Sequence, residues 1–179
     1  MKSIYFAGPL FTKAQAEREE RVKAKLRELG FDVHSPKEDS NITGTKASMV
    51  DRKATFDSNV SNIDRVDIIF ALMDGKHAIC DEEDTNGRPI NAIDTGTLFE
   101  VGYAYCLRQK YGTKPLIIYY SETLKKEQFN LMLAQSCDML ITDERDEAGN
   151  LIETAFERLK YLPEWIETDT KIEYNGEIE

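Results

Sequence analysis

The sequence predicts a single-domain α/β fold, a five-stranded parallel sheet with helices on both faces. Short apolar runs recur at Ser3–Ala7, Phe31–His34, Val66–Leu72, Leu116–Tyr120 and Asp138–Thr142, and helical patterns lie between them. Two of these runs, Val66–Leu72 and Leu116–Tyr120, are almost continuously apolar, as strands buried on both faces must be. Strands that alternate with helices are joined by right-handed crossovers and so lie parallel. No repeat, low-complexity tract or linker divides the 179 residues, so one domain over 1–179 is expected.

Taken in order, Ser3–Ala7 is a strand stopped by Gly8-Pro9. Thr12 and Gln15 have the spacing of a capping box, and a charged helix follows to about Leu29, where Gly30 ends it. Phe31–His34 is the second strand. Residues 37–50 are polar and read as a long loop, followed by a helix from about Asp51 to Ile63 and the buried strand Val66–Leu72. A second long, acidic loop spans 74–93. The next helix, from Asp94 to about Gln109, leads to the strand at Leu116. Lys125–Ser136 reads as a helix or half-helix, Asp138–Thr142 as a short edge strand, and Asn150–Leu162 as the last long helix, with an acidic tail to Glu179.

Composition narrows the function. A net charge of −10 argues against nucleic acid or an anionic membrane as partner, because both call for a basic face. The three cysteines (Cys80, Cys106, Cys137) show no paired spacing, which reads as reduced thiols in a cytoplasm. His34 and His77 stand far apart, so no metal site is expected. The first residues give too short an apolar run for a signal peptide, and no stretch is long enough to span a membrane. Gly-x-Gly-x-x-Gly does not follow the first strand, so no dinucleotide cofactor is expected; Walker and Gly-x-Ser-x-Gly motifs are absent too. The acidic residues that a phospho-receiver needs after strand one are missing.

In a parallel sheet the ligand sits beyond the carboxyl ends of the strands, where strand order reverses. The loop holding Gly8 and the loops after the third and fourth strands therefore line the candidate site. The stretch Asp94-Thr95-Gly96-Thr97-Leu98-Phe99-Glu100-Val101-Gly102-Tyr103-Ala104 enters it as a loop feeding a helix. Gly96 would let a ligand approach the backbone, and Gly102 suggests close packing of this helix on the sheet. Asp94 and Glu100 are the two carboxylates that glycosidic-bond chemistry uses, and the helix N-terminus would favour ionised Glu100. Read alone, the stretch also fits Asp94 as a plain cap and Glu100 as a solvated helix residue.

Together with Ile4-Tyr5-Phe6-Ala7-Gly8-Pro9 and Phe129-Asn130-Leu131-Met132, this stretch resembles the nucleoside 2-deoxyribosyltransferases, and the order and spacing agree over nearly the whole chain. The resemblance implies a flavodoxin-like (Rossmann-like) sheet. It also implies transfer of a 2-deoxyribosyl group between nucleobases, with 2′-deoxynucleosides and free purine or pyrimidine bases as partners and no cofactor. On it, Glu100 is the nucleophile, Tyr5 orients Glu100, and Asp94 holds sugar hydroxyls. Asn130 does the same across a subunit boundary, and the α-carboxylate of Glu179 enters the site of a homo-oligomer, a dimer or hexamer. Where the family often has an aspartate before the third strand, this chain has Asn59, which can bond a base edge but cannot deliver a proton. Asp57, Asp74 or water could then protonate the leaving base. The rival readings are an N-glycosidase of 2′-deoxynucleosides or their 5′-monophosphates and a non-catalytic nucleotide-sensing module.

Overall fold

The computed structural model describes residues 1–9, 12–39, 49–74, 93–112, 115–125 and 128–168. In chain order the strands of the main sheet are β1 (Ser3–Ala7), β2 (Asp32–His34), β3 (Ile68–Leu72), β4 (Leu116–Tyr120) and β5 (Met139–Ile141). They lie all parallel in the order β2-β1-β3-β4-β5. The chain moves from β1 to β2 in one direction and then returns to build β3, β4 and β5 on the other side, so the switch point lies between β1 and β3.

Alternation along the strands sorts the core into two layers. Ile4 and Phe6 of β1, with Ile68, Phe70 and Leu72 of β3, face α1 (Lys13–Glu28) and the C-terminal helices. Those helices are α6 (Ala155–Arg158), a 3₁₀ turn at Leu159–Tyr161 and α7 (Leu162–Glu167). Tyr5 and Ala7, with Ile69 and Ala71, face α3 (Met49–Ile63) and α4 (Thr95–Tyr111). Register alone therefore points Tyr5 at the helix that carries Glu100. Every residue of β3 is buried, as its apolar run requires.

The local signals behave as chemistry dictates. Thr12 and Gln15 close the capping box, with Oγ1 accepting from the Gln15 amide at 3.2 Å and Gln15 Oε1 from the Thr12 amide at 3.0 Å. Gly30 (φ 89°) and Gly112 (φ 95°) take left-handed conformations just past α1 and α4. A short helix α2 (Pro36–Asp39) begins the segment expected as loop, and Lys23 of α1, fully buried, reaches its Glu38 at 2.9 Å.

Three expectations change. The helix or half-helix expected at Lys125–Ser136 is, among the described residues, the short α5 (Leu131–Ala134). Phe129 turns inward and stacks on Tyr119 with ring centroids 6.3 Å apart, and extended Asn130 caps the helix instead of continuing one. The long helix expected from Asn150 starts at Ala155, because β6 (Glu144–Arg145) and β7 (Leu151–Glu153) form a separate antiparallel hairpin. Thr154 and Glu157 then make a capping box that resets the chain into helix. Gly102 does not pack on the sheet: it is exposed, and a Cβ there would meet nothing within 4 Å among the described residues. Most of the two long loops, His77, Cys80 and the tail with Glu179 lie outside the described residues. Among those residues, no helix is long and apolar enough to cross a membrane.

Candidate active site

At the switch point a side chain after Ala7 would press on β3. A Cβ on Gly8 would lie 3.1 Å from Leu72 Cβ and 3.4 Å from the Phe6 ring. Gly8 thus sits at the carboxyl edge of β1, where the crevice opens.

The centre of the site is a bond between β1 and α4. Tyr5 is fully buried, and its hydroxyl donates to Glu100 Oε1 at 2.6 Å. Glu100 Oε2 has no hydrogen bond from any described residue. Burial pushes the Glu100 carboxyl up to about 7; the Tyr5 bond opposes that rise, and the negative charge of Asp94 adds to it. The sequence expectation that the helix N-terminus would favour ionised Glu100 is therefore overturned. Glu100 lies six residues past the cap, and the dipole's influence fades within the first turn, so burial wins.

Asp94 is the N-cap of α4, only 6% exposed, and its Oδ2 accepts from the Thr97 amide at 2.9 Å and from Thr97 Oγ1 at 3.3 Å. Gly96 makes this fold-back possible, since a Cβ there would stand 2.9 Å from Asp94 Oδ2. What approaches Gly96 is thus the chain's own carboxylate. Capping holds Asp94 close enough to act electrostatically on Glu100, so the structural role and the electrostatic one coincide.

The other sequence candidates are less tightly gathered. Asn59 is half-buried on α3, one turn beyond Phe56, whose ring lies 5.7 Å from that of Phe99, next to Glu100. Asn130 is exposed, and its Oδ1 accepts from the Met132 amide at 2.9 Å, capping its own helix. Asp57 is exposed and paired with Lys53 at 2.5 Å on the outer face of α3. Asp74, considered as a proton donor, is buried with both oxygens engaged. Its Oδ1 takes Ser121 Oγ at 2.5 Å and Thr123 Oγ1 at 2.8 Å, and Oδ2 takes Arg18 at 2.8 Å. Sequence reasoning missed this hub; the signal available was an acidic residue just past a fully apolar strand.

Chemically, the arrangement offers one carboxylate oxygen held by a phenol and a second one open, beside a fixed negative charge. Such a carboxylate can act as a nucleophile at an electron-poor carbon.

The family model described as nucleoside 2-deoxyribosyltransferase matches residues 4–151, a span holding Tyr5, Gly8, Asn59, Asp94, Glu100 and Asn130. Among solved structures the fold is similar to the 2-deoxyribosyltransferase of Bacillus psychrosaccharolyticus, with 25% identity, a TM-score of 0.59, and 84% of this chain and 98% of that one covered. It is also similar to a conserved protein of Enterococcus faecalis V583, with 23% identity, a TM-score of 0.50, and 75% and 72% covered. A CMP N-glycosidase of Clostridium botulinum shares the fold at 13% identity and a TM-score of 0.50, with 90% and 99% covered. No curated relative matches the sequence.

Proposed function

Because the chain belongs to the nucleoside 2-deoxyribosyltransferase family, we propose that it exchanges the nucleobase of 2′-deoxyribonucleosides through a covalent deoxyribosyl–Glu100 intermediate. The observation that carries this reading is the Tyr5–Glu100 hydrogen bond, which fixes one carboxylate oxygen and leaves the other to react.

In the first step Glu100 Oε2 attacks C1′. The C1′–N bond breaks, its electron pair leaves with the base, and the base takes up a proton. Asp57 and Asp74 are both engaged elsewhere, so water is the proton source of choice, with Asn59 able to hydrogen-bond the base edge. In the second step a nitrogen of the incoming base attacks C1′ from the opposite face. The C1′–O bond breaks, the carboxylate is restored, and the incoming base gives up its proton to solvent. Two inversions return the β-anomer. Tyr5 steadies Glu100 throughout, while Asp94 and Gly8 lie where the sugar would rest. Asp94 and Glu100 together disfavour a 5′-phosphate through like-charge repulsion, so a free 5′-hydroxyl fits better.

The family's oligomeric habit is part of the same reading. What supports it is an exposed stack on α3 and α4: Phe56 and Phe99 are each about half exposed, and Phe99 lies parallel to Tyr103 at 6.5 Å. Exposed Gly102 lies in the same stretch of α4. A second copy docked there would bring in Asn130 and the Glu179 carboxylate from outside.

The test is incubation with deoxyinosine and adenine, with chromatography for deoxyadenosine. Deoxyadenosine formation supports exchange. Hypoxanthine and free deoxyribose without deoxyadenosine would make the protein a hydrolase, and unchanged deoxyinosine would leave a non-catalytic module.

A further inference from the structure

We propose that Asp74 is a positioning residue, clamping the turn after β4 so that Asn130 is presented at a defined place; the role of Asn130 toward the sugar rests on the function proposed above. Asp74 is 2% exposed, two residues past the end of β3, where the Met73 amide still bonds the Tyr120 carbonyl at 2.8 Å. The chain after Tyr120 wraps around this one carboxylate. Oδ1 accepts from Ser121 Oγ at 2.5 Å, the Glu122 amide at 3.0 Å, the Thr123 amide at 3.1 Å and Thr123 Oγ1 at 2.8 Å. Ser121 Oγ in turn accepts from the Leu124 amide at 2.8 Å, closing the turn. Arg18 of α1 neutralises the other oxygen at 2.8 Å, so the charge is paired though buried.

Four donors on one oxygen exceed what a turn needs to form, and they tie β3 to a segment with little regular structure. Beyond the turn, Leu124 and Phe129 are buried in the same layer as Tyr5 and Tyr119, and Asn130 follows at once. With the turn fixed at one end and two side chains seated against the core, Asn130 has little freedom in where it emerges.

The experiment compares wild type, Asp74→Asn and the milder Thr123→Val, which removes a single donor from an exposed residue. Amide hydrogen exchange is measured over residues 121–135, together with KM and kcat for deoxyinosine–adenine exchange. The expected result is at least tenfold faster exchange in 121–135 with protection of β1 and β3 retained. KM should rise about tenfold in Asp74→Asn and about threefold in Thr123→Val, with kcat within threefold of wild type. A merely structural role would lower the active fraction and kcat and leave KM alone, which would overturn the proposal, as would unchanged exchange in 121–135. Failure of the proposed function would show separately, as a wild type that makes no deoxyadenosine; the exchange pattern would then decide the clamp by itself.

Discussion

The Tyr5 hydroxyl donates a 2.6 Å hydrogen bond to Glu100 Oε1, joining the middle residue of the strand Ser3–Ala7 to a helix residue 95 positions later in the sequence. Tyr5 is held by strand register and Glu100 by a helix whose cap is itself a carboxylate. The pair is therefore fixed by the fold and does not depend on a substrate to assemble it.

Glu100→Gln keeps the shape and the Tyr5 bond but replaces a carboxylate with a poor nucleophile. Base exchange should fall by roughly 10³-fold or more, with little change in substrate affinity. Initial-rate kinetics on the purified variant check this, and activity within tenfold of wild type would remove Glu100 from the chemistry.

Because the Glu100 carboxyl is pushed up to about 7, kcat/KM should rise with pH through a single acid limb near that value and then level off. Two variants should move the limb in opposite directions. Tyr5→Phe removes the bond that favours the ionised form, so the limb shifts to higher pH and the plateau drops about 10–100-fold. Asp94→Asn removes the neighbouring charge yet remains a good cap, so the limb shifts to lower pH. Shifts of the same sign in both variants would contradict this electrostatic picture.

The same elevation has a consequence for stability. A carboxyl whose folded value lies above its unfolded value stabilises the fold fully below the unfolded value and loses that contribution as pH climbs to the folded one. Between about pH 4.5 and 8, wild type should therefore lose on the order of 1–3 kcal/mol relative to Glu100→Gln. Urea unfolding of both proteins at pH 5 and pH 8 reads this directly; a gap that does not widen with pH would mean Glu100 is not a strained buried carboxylate.

The two glycines of α4 should respond oppositely to alanine. Gly96→Ala forces its Cβ onto Asp94 Oδ2, so the cap weakens by about 1 kcal/mol and exchange activity falls. Gly102→Ala meets nothing within 4 Å among the described residues and should raise the helix's own stability by about 0.5–1 kcal/mol. If a second copy packs on that face, the same change will weaken the oligomer, as read by sedimentation velocity. An oligomer untouched by Gly102→Ala would place the self-association face elsewhere.

Much of this was legible before the structure. Apolar continuity identified β3 and β4, and the strand–helix alternation implied the parallel order, because both follow from burial on two faces. The cap at Asp94 and the box at Thr12 were local and hence readable. What escaped was set at long range or by competition. The hairpin at 144–153 was hidden because Leu151 keeps helical spacing with Ala155 although it is about half exposed. The state of Glu100 was misjudged because dipole and burial oppose each other, and only packing says which prevails. Asp74 became a hub because β4 lies beside β3, a neighbour relation that no local pattern encodes.

The central claim is a covalent bond between Glu100 and the sugar, and the most direct measurement is mass spectrometry of protein quenched in acid during turnover of deoxyinosine. The account predicts a mass increase of one deoxyribosyl group on the peptide containing Glu100, lost on adding adenine and absent from Glu100→Gln. Brisk exchange with no adduct, or an adduct on another peptide, would contradict it.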